Sequence, residues 1–93
     1  MKTANMDLDP EGYPVVAWEH KDEVGINIHG ARWNGSTWSS IDPPGAKGGI
    51  SNTSLNSTWP SVAVSSSGDI YVAWEQNLAK DNIEYYLRVL RAR

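Results

Sequence analysis

Two stretches of this chain, GYPVVAWE from Gly12 and GDIYVAWE from Gly68, superpose under one shift of 56 residues. The same shift sets Met6 on Val62, Leu8 on Val64 and the run Val16, Ala17, Trp18, Glu19 on Val72, Ala73, Trp74, Glu75, with no gap. A repeat of this kind constrains the fold more than composition does, because one backbone geometry must suit both copies. Between the matched runs, Pro10 and Glu11 lie over Ser66 and Ser67. Turn length is kept while turn sequence is not, which is expected where only the backbone path is shared.

Each copy opens with period-two alternation. In SVAVSSSGDIYVAWE, Val62 and Val64 share a face; after the turn, Ile70, Val72 and Trp74 oppose Tyr71, Ala73 and Glu75. Two such runs about a Ser/Gly/Asp turn predict a β-hairpin, and Met6, Leu8, Pro14, Val16 and Trp18 repeat the pattern in the first copy. Downstream, VGINIHGARW and STWSSI flank an Asn-Gly turn, a strong short hairpin signal. The reading is all-β, in two consecutive four-stranded antiparallel units, the second lacking its outer strand. Residues 1–42 make the first unit, 43–58 a connecting loop rich in Pro, Gly, Ser and Asn, and 59–93 the second unit. Residues 81–93 are ambiguous. As a strand, Ile83, Tyr85, Leu87 and Val89 alternate with Glu84, Tyr86, Arg88 and Leu90; as a helix, Asp81 caps and Ile83, Leu87 and Leu90 line one face. The repeat favours the strand.

At 93 residues the chain reads as one small domain or part of one, with a modest core. Its net charge of −3 argues against a nucleic-acid partner, since Lys and Arg are not in excess. Arg88, Arg91 and Arg93 form the one basic cluster, read as a solvated end. The absence of Cys excludes disulfides and thiolate metal sites. No apolar run is long enough to cross a bilayer, and MKTANMDLDP lacks the apolar stretch of a signal peptide, so the sequence assigns no compartment. Five Trp and four Tyr, against no Phe, suit half-wet sheet faces and sugar platforms.

The pieces WPSVAVSSSGDIYVAWEQ, GYPVVAWEH and ARWNGSTW resemble bacterial β-propeller repeats over almost the whole chain. The first piece is also similar to an NHL repeat, and the last to a degenerate Asp-box of sialidase-like propellers. Gly35, Thr37 and Trp38 fit that box, while Ala31 and Trp33 occupy its Ser and Asp positions. The resemblance implies four-stranded blades of a kind that close into rings. Repeat units bury their faces on neighbours, so this resemblance implies self-association. Three copies would supply six blade equivalents, and a dimer exchanging strands is the alternative.

No catalytic set stands out. His20 and His29 lack metal-ligand spacing and read as polar strand-end residues. Glu19 and Glu75 could in principle form a glycosidase pair, but their equivalence in the repeat places them on separate units. Glu84, Tyr85, Tyr86 and Arg88 are only loosely similar to the nucleophile and Arg clamp of sialidases. No phosphate loop, nucleophile elbow or acidic calcium loop occurs, and no cofactor is implied. Trp18 and Trp74 read as packing residues. Trp33, Asn34, Trp38 and Trp59 are the candidate ligand residues, because Trp beside polar turn residues can stack on a sugar ring. The expected function is a non-catalytic binding or assembly module, with lectin-like carbohydrate binding as one form and a fragment of a sialidase-like glycoside hydrolase as the alternative.

Overall fold

The computed structural model describes residues 4–79 and 82–90. These residues form two antiparallel sheets and no helix. Strands β1 (Ala4–Leu8), β2 (Pro14–Lys21), β3 (Ile26–Trp33) and β4 (Trp38–Ser40) make the first sheet, in that order. Strands β5 (Ser57–Val64), β6 (Ile70–Ala79) and β7 (Asn82–Leu90) make the second. Within each sheet every strand pairs with its neighbour in sequence, so both sheets are simple meanders. The ambiguous tail is a strand through Leu90: β7 pairs with β6 from Ile70↔Leu90 to Ala79↔Asn82. The remainder of that tail lies outside the described residues.

The repeat is kept in its first hairpin from the turn out to Asn5↔Ala17, matched by Ser61↔Ala73, and departs at the irregularity between Thr58 and Ser61. Met6↔Val16 and Leu8↔Pro14 in the first sheet become Val62↔Val72 and Val64↔Ile70 in the second. Both turns have the same backbone bonds with different side-chain supports. Gly12 N–H donates to Asp9 O and Gly68 N–H to Ser65 O, with φ of 88° and 89°. Only glycine adopts such a φ without strain, which explains why glycine is retained at the fourth residue of both turns. The Asp9 carboxylate accepts the Glu11 and Tyr13 amides, whereas the Ser65 hydroxyl accepts the Asp69 amide. Beyond this hairpin the repeat slips. Val15 pairs with Arg32, but its counterpart Tyr71 pairs with Val89, so the third strand is displaced by 57 rather than 56 residues. The irregularity between Asn77 and Ala79 absorbs the extra residue.

The sheets stack with β5 lying against β1, β2 and β3. Between them Val15, Ala17 and Ile28 of the first sheet meet Val62, Ile70, Val72 and Trp74 of the second, all buried. Expected packing of both Trp18 and Trp74 is thereby corrected for one of them. Trp74 is 6 % exposed in this core, but Trp18 is half-buried on the far side of its sheet. Stacking brings opposite faces of equivalent strands together, so Val15 and Ala17, not Val16 and Trp18, meet the second sheet.

The loop at 41–56 is more than a connection. Ile50 N–H donates to Ile28 O at 2.7 Å, and its side chain is fully buried in the core. Asn27, also fully buried, accepts the Ser51 hydroxyl and the Thr53 amide through Oδ1, at 2.6 and 3.0 Å. The Ser51 hydroxyl in turn accepts the Ile28 amide. The loop is thus fastened along β3 before the chain enters the second sheet. Arg88, read as part of a solvated basic end, reaches back from β7 to donate to Ile50 O.

Candidate functional site

The pairing Trp33↔Trp38 closes the β3–β4 hairpin and sets the two indoles 5.5 Å apart at 58°. Between them Asn34 is held by its own turn: its Oδ1 accepts the Ser36 and Thr37 amides. Three of the candidate ligand residues are therefore brought together, with Trp38 half exposed and Asn34 engaged in shaping the turn. Trp59, the fourth, is in β5 of the other sheet, at the irregularity between Thr58 and Ser61. It is exposed, has φ of 55°, and donates its amide to Glu19 Oε2 at 3.0 Å. Glu19 is 8 % exposed and lies between the sheets, while Glu75 sits on the outer side of the second sheet. The two carboxylates share no cleft, and Glu19 supports a strained backbone.

The outer side of the first sheet carries Met6 and Leu8 from β1, Pro14, Val16, Trp18 and His20 from β2, His29 and Ala31 from β3, and Trp38 from β4. A hollow of about 430 Å³ opens on it beside Trp18, His20, Asp22, His29, Trp38 and Asp42. Its floor is a clasp that the sequence spacing does not reveal. The His29 ring bonds Asp42 through Nδ1 at 2.7 Å and Asp22 through Nε2 at 2.6 Å, and meets His20 edge-on at 5.3 Å. Asp22 Oδ1 also accepts the Val24 and Gly25 amides, and Asp42 Oδ1 accepts the Gly30 amide. His29 is thus no strand-end residue; it ties the β2–β3 turn to the segment after β4. No group of three or more His, Cys, Asp or Glu side chains arranged to hold a metal occurs among the described residues.

Burial alone presses the His29 pKa down, but the hydrogen bonds and charges of Asp22 and Asp42 outweigh it and leave the group above 6.5. For Asp22, burial works upward, yet the His29 bond and the Gly25 and Val24 amides bring it to about 2. The two groups act at opposite ends of the pH scale. Because the folded His29 pKa is raised, its contribution is complete below 6.5 and lost as pH rises through the folded value. Because the Asp22 pKa is depressed, its contribution is complete above 3.8 and lost as pH falls toward about 2. Thermal melts across pH should therefore peak between these limits, and His29→Gln should remove the alkaline slope. An alkaline slope unchanged in that variant would show that the clasp is not its source.

The outer side of the second sheet is also apolar. Tyr71, Ala73 and Glu75 of β6 share it with Ile83, Tyr85, Leu87 and Val89 of β7. Tyr85 is 77 % exposed and Leu87 63 %. Large exposed apolar side chains therefore stand on both outer sides of the described residues. Compared with protein-family models, curated proteins and solved structures, the chain matches none.

Proposed function

We propose that this chain is a non-catalytic assembly and binding module of β-propeller type, whose two open sheet faces are covered by further copies of itself. The observation that carries the reading is the pair of uncovered apolar faces, one with Met6, Leu8 and Trp38, the other with Ile83, Tyr85 and Leu87, all exposed. Leaving three or four large apolar side chains in water on one face forgoes about 5–10 kcal/mol, comparable with the stability of a whole domain. A trimer would place six sheets in one assembly, and a strand-exchanged dimer is the smaller solution.

The hollow beside Trp18 and Trp38 favours carbohydrate as a second occupant, because an apolar indole wall stands beside Ser39 and Ser40, whose hydroxyls can meet those of a sugar. Nothing in the placement of Glu19 and Glu75 favours the glycoside hydrolase alternative.

Sedimentation equilibrium over a range of concentrations, without and with added monosaccharides, tests both readings. The expected result is a mass of two or three chains at micromolar concentration. A folded single chain at about 100 µM would defeat the assembly reading, and a change in Trp emission with sugar on that single chain would support the second.

A further inference from the structure

The repeat and the register together say how two copies would meet. Inside the chain, the face of the second sheet bearing Val62, Ile70, Val72, Trp74 and Gln76 is buried against the face of the first bearing Val15, Ala17 and Glu19. Under the 56-residue shift, the first of these faces corresponds to Met6, Pro14, Val16, Trp18 and His20. The second corresponds to Tyr71, Ala73 and Glu75. Those two counterparts are the open faces of the molecule, one on each side. Each open face is thus the repeat counterpart of a face that is already half of a packed junction, identical to it at Val16, Trp18, Ala73 and Glu75 and different at Met6, Pro14, His20 and Tyr71.

We infer that copies associate head to tail, the open face of the first sheet in one chain receiving the open face of the second sheet in the next. This rests on the assembly reading above and specifies its interface. The internal junction is the template for the contact between chains. Val16 and Trp18 take the places of Val72 and Trp74, and Ala73 takes that of Ala17. The polar edge is compatible as well: Glu75 replaces Glu19, and His20 replaces Gln76, so a histidine joins a carboxylate in a junction that holds glutamine and carboxylate inside the chain. A two-fold contact of either open face with itself has no such precedent in the molecule. Head-to-tail contacts are heterologous, and they close into a ring or extend as a filament according to the rotation between successive copies.

The test uses two variants of the full chain, each blocked on one face. Met6→Lys with Trp38→Lys blocks the first sheet, and Tyr85→Lys with Leu87→Lys blocks the second; all four positions are exposed. Each pair should raise the dissociation constant at least about 100-fold, leaving either variant alone as a single chain in sedimentation velocity. An equimolar mixture should then form a two-chain complex, because one intact face of each kind is present. Wild type that associates while either variant still dimerises by itself would overturn the head-to-tail arrangement. So would two folded, single-chain variants that form no complex on mixing. A wild type that stays a single chain would instead overturn the assembly reading on which the arrangement rests. Far-UV circular dichroism confirms folding, and Leu8→Lys and Ile83→Lys, also exposed, replace any pair that unfolds.

Discussion

Trp74→Ala should destabilise the chain by about 3–5 kcal/mol, while Trp18→Ala, at the equivalent place in the repeat, should cost well under half of that in the isolated chain. The difference comes from what each indole touches. Trp74 is buried in the core cluster, donates Nε1–H to Gln76 Oε1 at 3.2 Å, and stacks on Tyr86 at 6.3 Å. Removing it leaves a cavity between two sheets whose backbones are fixed by their own ladders, so collapse is limited. Trp18 is half-buried on an open face, and part of its ring already meets water. Denaturant melts of the two variants at low concentration measure the contrast. At higher concentration the gap should narrow, because an assembly that covers Trp18 adds its loss there to stability. Equal costs at low concentration would mean that the two faces are not distinguished as described.

Asn27→Leu should cost about 2–4 kcal/mol, although Leu has nearly the same shape. The side chain is fully buried and satisfies the Thr53 amide and the Ser51 hydroxyl; its Nδ2 also reaches Asp22 Oδ1 at 3.3 Å. Leucine supplies no acceptor, so the part-buried Thr53 amide and the Ser51 hydroxyl lose their partner while the packing is kept. Hydrogen exchange should show the loosening first at the Thr53, Ile50 and Ile28 amides, which tie the loop to β3 and Ser51. Chemical denaturation gives the magnitude, and a cost under about 1 kcal/mol would show that water reaches the freed groups.

Local pattern carried much of the fold. Alternation put Ile70, Val72 and Trp74 on one face of their strand, and the Asn-Gly turn joined β3 to β4 as expected. The hairpin of β1 on β2 followed from the repeat, because one turn length had to serve two sequences. What alternation cannot say is which face of a strand is covered. Val15 and Ala17 lie in the core, whereas Val16 and Trp18, larger and more apolar, lie outside it; the choice is made by the other sheet and not by β2. The one-residue slip of the third strand was likewise invisible, since an irregularity near Leu78 leaves no composition signal.

The site was less legible for the same reason. Trp33, Asn34 and Trp38 come together because a tight hairpin joins them. Trp59 does not join them, since its neighbours in space come from a strand 40 positions earlier, as the Trp59–Glu19 bond shows. His29 is 7 residues from Asp22 and 13 from Asp42, spacings that signal no contact in a β-meander. Ile50 sits in a Gly-rich loop, where an apolar residue alone is no sign of a core. In each case the informative relation is between segments apart in sequence, and it becomes visible only when the strands are folded together.

The fastening of the loop at 41–56 has a further consequence. A second sheet that fits its own first sheet fits the first sheet of any other molecule equally well, so exchange between chains competes with closure within one. Closure is favoured by proximity: a short, pinned tether keeps the internal partner at an effective concentration that free chains reach only when crowded. Asn27 and Ser51 shorten the free span of that tether, and so act as a guard against swapped, entangled products during refolding. The same bonds that steady the folded chain therefore help to decide which molecule each sheet belongs to.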